Sequence, residues 1–280
     1  MIAALLVAAA TALPEGDPAP GRRSPGELVR DRPYALHGPK TGRPLPLLVV
    51  LHCFGCPAEL LPAQLGLTRR DDLLVAVPRG HLDSRGWPFW NASSACCDFD
   101  RRRPDDVAYV RAVVEDVKAK RAVDPRRIFA LGFSNGAYLA HRLACEQADV
   151  FAGIVSIAGA GTDGPCRPAL PVAVLQVHGD ADEVVPLRGG KLGGGLPRGG
   201  DAPAVFETLA AWARRDGCGD LGEAHDLQLS PGVRARATEW RSCAAGGVAF
   251  WRVPGGGHNL PLRREFGELA LKWLLDRARR

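Results

Sequence analysis

Ile128-Phe129-Ala130-Leu131-Gly132-Phe133-Ser134-Asn135-Gly136-Ala137-Tyr138-Leu139-Ala140 is the stretch whose reading decides the fold. Its first half is a continuous apolar run, the pattern of a strand buried on both faces of a parallel sheet. From Asn135 to Glu146 the period changes, and Ala137, Leu139, Ala140, Leu143 and Ala144 form an apolar stripe of helical spacing. Between the two lies Gly132-x-Ser134-x-Gly136. A sharp strand-to-helix turn of this kind strains the serine backbone and lifts its hydroxyl clear of the sheet, while the flanking glycines let the backbone approach closely. The helix N-terminus behind Ser134 favours negative charge developing there.

The same alternation extends in both directions. Leu47 to Leu51 and Leu73 to Val77 read as buried strands, the second ended by Pro78-Arg79-Gly80. Asp105 is placed to cap a helix running to about Lys120, and Asp124-Pro125 turns the chain into the central strand. Gly153 to Ala158, Val172 to Val177 and Val248 to Val253 supply three more strands, with amphipathic helices expected over Pro203 to Asp216 and Leu262 to Ala278. The pattern predicts an α/β fold with a mostly parallel central sheet and helices on both faces. Reactive groups in such sheets sit on loops beyond the carboxyl ends of the strands.

Two further motifs fall there. His178-Gly179-Asp180-Ala181-Asp182 follows the strand ending at Val177, and Gly255-Gly256-Gly257-His258 follows the strand ending at Val253. Asp182 is the expected acid, orienting His258, which in turn takes the proton of Ser134. The order Ser, Asp, His along the chain is that of the α/β-hydrolase fold. Oxyanion donors are expected from the Asn135 amide and from the loop His52-Cys53-Phe54-Gly55-Cys56, with Phe54 as the second donor.

Composition narrows the setting. The 280 residues are 46% hydrophobic and 24% charged, within the range of globular proteins. The net charge of +5 comes from scattered residues, only five of the 36 cations being lysine, which argues against a nucleic-acid partner. Met1 to Ala12 is almost wholly apolar, ends in a small-x-small pattern and reads as a signal peptide. Residues 13–31 are expected to be a flexible segment and residues 32–280 one catalytic domain. Later apolar runs fall short of the ~18 residues of a membrane span, so a secreted, soluble monomer without a membrane partner is expected. Eight cysteines in an exported chain point to disulfides. Cys218 and Cys243 flank a polar, variable-looking excursion, and Cys145 and Cys166 flank the next strand. Either bridge would close a loop of ~20 residues, contributing about 3 kcal/mol in the chain-entropy account. The pairing of Cys53, Cys56, Cys96 and Cys97 stays open at this level.

The chain resembles the secreted polyhydroxybutyrate-depolymerase and feruloyl-esterase group of α/β-hydrolases, in carbohydrate esterase family one. The resemblance rests on His52, Trp90-Asn91 with Cys96-Cys97, Asp105-Asp106-Val107 and Gly132 to Gly136. It continues through Leu143 to Glu146, His178-Gly179 with Asp182 and Val185-Pro186, Trp212 with Gly217-Cys218, and Gly255 to His258 followed by Pro261. It covers roughly Arg32 to Leu275. It implies Ser134 as nucleophile, Asp182 as acid, His258 as base and a Cys218–Cys243 bridge, with a feruloyl, acetyl or hydroxyalkanoate ester as substrate and neither metal nor organic cofactor. Three positions depart from the group: Cys53 replaces a usual glycine, Asp180 a usual threonine, and Leu260 a usual aromatic.

Other readings attach to single motifs. Cys53-Phe54-Gly55-Cys56 after a strand is also the context of a thiol–disulfide redox pair, which is the alternative function. Four of the cysteines, Cys53, Cys56, Cys96 and Cys97, could hold zinc, although an oxidising compartment favours bridges. Trp87 and Trp90 either line a substrate pocket or pack as a lid cluster. Gly189 to Gly200, with seven glycines, reads as a flexible excursion beside the site.

Overall fold

Leu45–Leu51 is buried along its whole length and sends alternate side chains into two apolar layers. Leu47, Val49 and Leu51 belong to one layer, and Leu48 and Val50 to the other. Burial of each such side chain contributes roughly 1.5–3 kcal/mol. The structure, a computed structural model, describes residues 23–161, 164–194 and 199–279. The expected signal peptide, Met1 to Ala12, lies outside the described residues.

In chain order the elements begin with α1 (Pro25–Asp31), β1 (Ala35–His37), β2 (Leu45–Leu51), α2 (Leu60–Gln64) and β3 (Leu74–Val77). A short ribbon of β4 (His81–Leu82) and β5 (Pro88–Phe89) precedes α3 (Asp106–Lys120) and β6 (Val123–Phe133). Next come α4 (Asn135–Glu146), β7 (Gly153–Ile157), β8 (Ala173–Gly179) and a second ribbon, β9 (Gly190–Lys191) with β10 (Asp201–Ala202). The chain continues through α5 (Val205–Arg215), β11 (His225–Ser230), β12 (Val233–Glu239), β13 (Val248–Val253) and α6 (Arg264–Leu275). One sheet holds nine strands in the order β1-β3-β2-β6-β7-β8-β13-β12-β11. The six from β3 to β13 run parallel; β1 at one edge is antiparallel, and at the other β12 and the edge strand β11 add antiparallel pairings. Helices α3, α4 and α5 cover one face, and α2 and α6 the other.

Three expectations are corrected. Part of the segment expected to be flexible, residues 13–31, forms α1. Ser24 and Glu27 close a reciprocal capping box at its start. Arg32 then pairs with the buried Asp106 at 2.7 Å and lies over the Tyr109 ring. The polar excursion between Cys218 and Cys243 contains β11 and β12. Val233, Ala235 and Ala237 face inward while Arg234 is exposed, a true alternation written in residues of low strand propensity. The described part of the glycine-rich excursion is a paired ribbon, and Gly200 N–H donates to the Ala95 carbonyl.

All eight cysteines are bridged. Cys145 pairs with Cys166 and Cys218 with Cys243, as spacing suggested, and Cys53–Cys56 and Cys96–Cys97 close locally.

The elbow after β6 fits only because its glycines lack side chains. A Cβ at Gly136 would lie 2.3 Å from the Leu51 carbonyl oxygen of β2, and one at Gly132 would lie 2.1 Å from the Gly136 carbonyl oxygen. Both contacts are with backbone, which cannot swing aside. Gly136→Ala is therefore expected to cost about 3 kcal/mol, lowering the melting temperature by roughly 6–12 °C. A variant melting within ~2 °C of the native protein would contradict this close approach.

Candidate active site

Ser134 occupies the turn between β6 and α4 with φ 54° and ψ −116°, a conformation costly for a residue bearing a side chain. Its own N–H donates to the Ile157 carbonyl at the end of β7, which pins the turn to the neighbouring strand. The hydroxyl thereby stands above the carboxyl end of the sheet. His258, on the loop after β13, places Nε2 3.0 Å from Ser134 Oγ. Its Nδ1 lies 2.9 Å from Oδ2 of Asp182, on the loop after β8. The structure thus brings together the three residues expected to react.

Asp182 is buried, and its other oxygen accepts the Val184 and Val185 amides at 2.9 Å each. Burial pushes its carboxyl up, but hydrogen bonds from His178 and His258 outweigh that and hold it well below the usual carboxylate range. Asp182 is therefore ionised at neutral pH. The neighbouring Asp180 turns away, accepting the Gly255 N–H at 2.7 Å and facing Arg252 at 3.3 Å. It braces the histidine loop from outside.

The loop expected to hold the oxyanion is fastened on three sides. His52 Nε2 accepts the Gly80 N–H at 2.9 Å, Gly55 N–H donates to the Pro88 carbonyl, and the Trp90 indole donates to the His52 carbonyl at 2.9 Å. Asn135, named in the sequence for its amide alone, also ties this region together. Its side chain accepts from Trp90 N–H at 2.7 Å and donates to the Trp90 carbonyl at 3.0 Å. Phe54 packs its ring edge-on against Trp87 and Phe99.

Trp90 is a correction. It is 0% exposed, with its ring tilted against His52 in the core, and so braces the loop rather than meeting a substrate. Trp87 is 48% exposed at the rim. A cavity of about 190 Å³ is walled by Leu60, Leu61, Ile157, Leu260 and Leu262, together with Phe133 and Asn259, the chain neighbours of Ser134 and His258. Leu60, Leu61 and Leu262 are apolar residues that no sequence motif marked, since their meeting depends on tertiary packing.

Cys53 and Cys56 flank a turn at Phe54-Gly55, and α2 begins only at Leu60. The sulfurs therefore lack the helix N-terminus that activates a redox thiol. The site gives the redox alternative no support.

A nine-stranded, mostly parallel sheet with this serine turn defines an α/β-hydrolase. The profile of the phospholipase/carboxylesterase family matches residues 103–193, which contain Ser134 and Asp182. The "Putative esterase NocK" of Nocardia uniformis subsp. tsuyamanensis is 33% identical over 249 residues, 83% of this chain and 71% of the relative. "Feruloyl esterase B" of Piromyces equi is 32% identical over 198 residues, 67% of this chain; the match spans only 34% of that longer protein. In fold, the chain is similar to an acetyl xylan esterase from Aspergillus awamori, with a TM-score of 0.58 at 14% identity over 86% of this chain and 93% of that one. It is likewise similar to a Bacillus cereus carboxylesterase, with a TM-score of 0.56 at 17% identity over 91% and 99% of the two chains. The chain belongs with the Nocardia esterase among the α/β-hydrolases and is a carboxylesterase-like ester hydrolase.

His52 gives the site a pH signature. Burial lowers its pKa to about 4, against a smaller opposing effect of the Cys53 carbonyl. The unfolded chain binds a proton here near pH 6.5 and the native state only near 4. The associated stability is whole above pH 6.5 and is lost as pH falls towards 4. Urea unfolding of the native protein and of His52→Gln, whose amide oxygen can still accept from Gly80, is expected to differ in pH dependence by up to ~3 kcal/mol over that window. Parallel stability curves would refute it.

Proposed function

We propose that the protein is an exported serine carboxylesterase acting through an acyl-enzyme on Ser134. The observation that carries this reading is the Ser134–His258–Asp182 hydrogen-bonded line, with its serine on a strained turn. His258 donates from Nδ1 to Asp182, which leaves the Nε2 lone pair facing the serine hydroxyl. As Oγ attacks the ester carbonyl, its proton passes to Nε2, and Asp182 stabilises the imidazolium that forms. Nε2 then returns the proton to the departing alkoxide, releasing the alcohol and leaving the acyl group on Oγ. Water attacks next, with His258 again taking the proton, and collapse frees the acid and Ser134. The amides of Asn135 and Phe54 receive the oxyanion in both halves, each worth a few kcal/mol at a water-poor site.

The ester is read as a compact one. The mostly apolar cavity of about 190 Å³ reached by Phe133 and Asn259, the chain neighbours of Ser134 and His258, suits a single ring or a short acyl chain. This favours aryl-acid, acetyl or short hydroxyacid esters of the kind named by the feruloyl-esterase resemblance. Export is supported by the apolar leader and by four disulfides. No helix among the described residues is long and apolar enough to cross a membrane.

Ser134→Ala is expected to lower turnover of a nitrophenyl acetate by about 10³-fold or more while leaving the melting temperature within a few degrees. Full activity in that variant would end the proposal. On methyl ferulate, acetylated xylan and hydroxybutyrate oligomers, only compact acyl groups are expected to turn over. Nitrophenyl palmitate should be a poor substrate, and rapid palmitate hydrolysis would contradict the pocket's size.

A further inference from the structure

Behind the three reacting residues runs a second row of polar side chains that the mechanism leaves unused. Trp212 of α5, His141 of α4, and Gln176 and His178 of β8 are all buried in the layer between sheet and helices. Their contacts are continuous. The Trp212 indole donates to His141 Nδ1 at 3.2 Å, and His141 Nε2 lies 3.3 Å from Gln176 Oε1. Gln176 Nε2 lies 2.9 Å from the Gly159 carbonyl and 3.0 Å from His178 Nδ1. His178 Nε2 lies 2.9 Å from the Val185 carbonyl and 3.3 Å from Asp182 Oδ2.

The chemistry of the two ends orients every proton between them. An indole nitrogen only donates, so His141 Nδ1 is an acceptor. Burial lowers the His141 pKa to about 4, so at neutral pH its single proton sits on Nε2 and is donated to Gln176 Oε1. The Gln176 amide is thereby oriented with its NH₂ towards the Gly159 carbonyl and His178 Nδ1. The opposite flip would set two carbonyl oxygens against each other at Gly159. With Nδ1 accepting, His178 carries its proton on Nε2, shared between the Val185 carbonyl and Asp182. The other tautomer would aim a lone pair at both of those oxygens.

We propose that Trp212, His141, Gln176 and His178 form a one-directional hydrogen-bond relay that holds Asp182 in register with His258, with Gln176 and His178 as positioning residues. Asp182 Oδ2 then accepts the His258 N–H in front and lies 3.3 Å from the His178 Nε2–H behind, which also reaches the acid through the Val185 peptide, whose carbonyl it meets and whose N–H Asp182 accepts. The carboxylate cannot rotate away without losing a buried hydrogen bond. This rests on the reading of Ser134, Asp182 and His258 as the reacting groups, but the tautomers it requires do not.

Long-range proton–nitrogen correlation spectra of protein carrying ¹⁵N-labelled histidine separate the two neutral tautomers, and single substitutions assign the signals. His141 and His178 are expected as Nε2–H tautomers in the native protein. Trp212→Phe removes the source of direction, and His141 is expected to populate both forms. Gln176→Leu is expected to release His178 from the Nε2–H form and to lower kcat on nitrophenyl acetate roughly ten-fold at unchanged KM. A native His178 protonated on Nδ1, or a Gln176→Leu enzyme with unaltered His178 signals and kcat, would overturn the relay. A proportional change in KM with the tautomers intact would reduce these residues to packing, which also overturns it. Should Gln176→Leu fail to fold, the native spectrum and Trp212→Phe decide. Full turnover by Ser134→Ala would remove the esterase reading while the tautomers still judged the relay.

Discussion

The crossing of two backbones, where the start of α4 passes over the end of β2, is the contact on which the rest of this structure depends. Gly136 lies against the Leu51 and His52 carbonyls with no room for a side chain. Because the helix starts so close to the sheet, the chain must turn within one residue, and Ser134 takes up the strain. The same closeness sets the Asn135 amide beside the loop that leaves β2. The proposed nucleophile and the proposed oxyanion donor Asn135 are therefore positioned by one steric fact, and the surrounding bonds from His52, Trp90 and the Asn135 side chain keep it from relaxing.

A second crossing does the same for the acid and the base. A Cβ at Gly179 would fall 2.0 Å from the Gly256 carbonyl oxygen, and that oxygen accepts the Ala181 N–H at 3.0 Å. The loops after β8 and β13 are thus joined main chain to main chain before Asp182 and His258 meet. Asp180 strengthens the junction through Gly255 and Arg252. Side-chain geometry in this site follows from backbone contact, which is stiffer than any single hydrogen bond.

This explains what was legible in the sequence. The buried parallel strands announce themselves as unbroken apolar runs, and Asp105 and the change of period at Asn135 mark helix starts that the structure reproduces at α3 and α4. The reacting residues are legible because the turn chemistry around Ser134 and the glycines before His258 are local requirements. Features that depend on edges or on distant packing are not. β12 alternates arginine with alanine, a pattern that resembles solvated loop because one face meets water and the other is filled mostly by alanines of low strand propensity. α1 hides behind Pro25 and Gly26, although Ser24 and Glu27 carry its cap. Trp90 reads as surface aromatic because its partners, His52 and Asn135, are 38 and 45 residues away. Gln176 and His141, whose contact spans 35 residues, carry no motif.

Part of the cavity wall has a different origin from Ser134, Asp182 and His258. Leu60, Leu61 and Gln64 belong to the connection between β2 and β3, and Gln64 holds that connection to the Leu262 carbonyl at 2.7 Å. Ser134, Asp182 and His258 hang from β6, β8 and β13 instead. Leu60 and Leu61 thus come from a segment separate from Ser134, Asp182 and His258, while Phe133, Leu260 and Leu262 adjoin the proposed reacting residues in the chain. Leu60, 54% exposed, stands where substitution can widen or narrow the mouth without disturbing the sheet. The connection that carries Leu60 can therefore change the cavity mouth while the turns that hold Ser134, Asp182 and His258 keep their places.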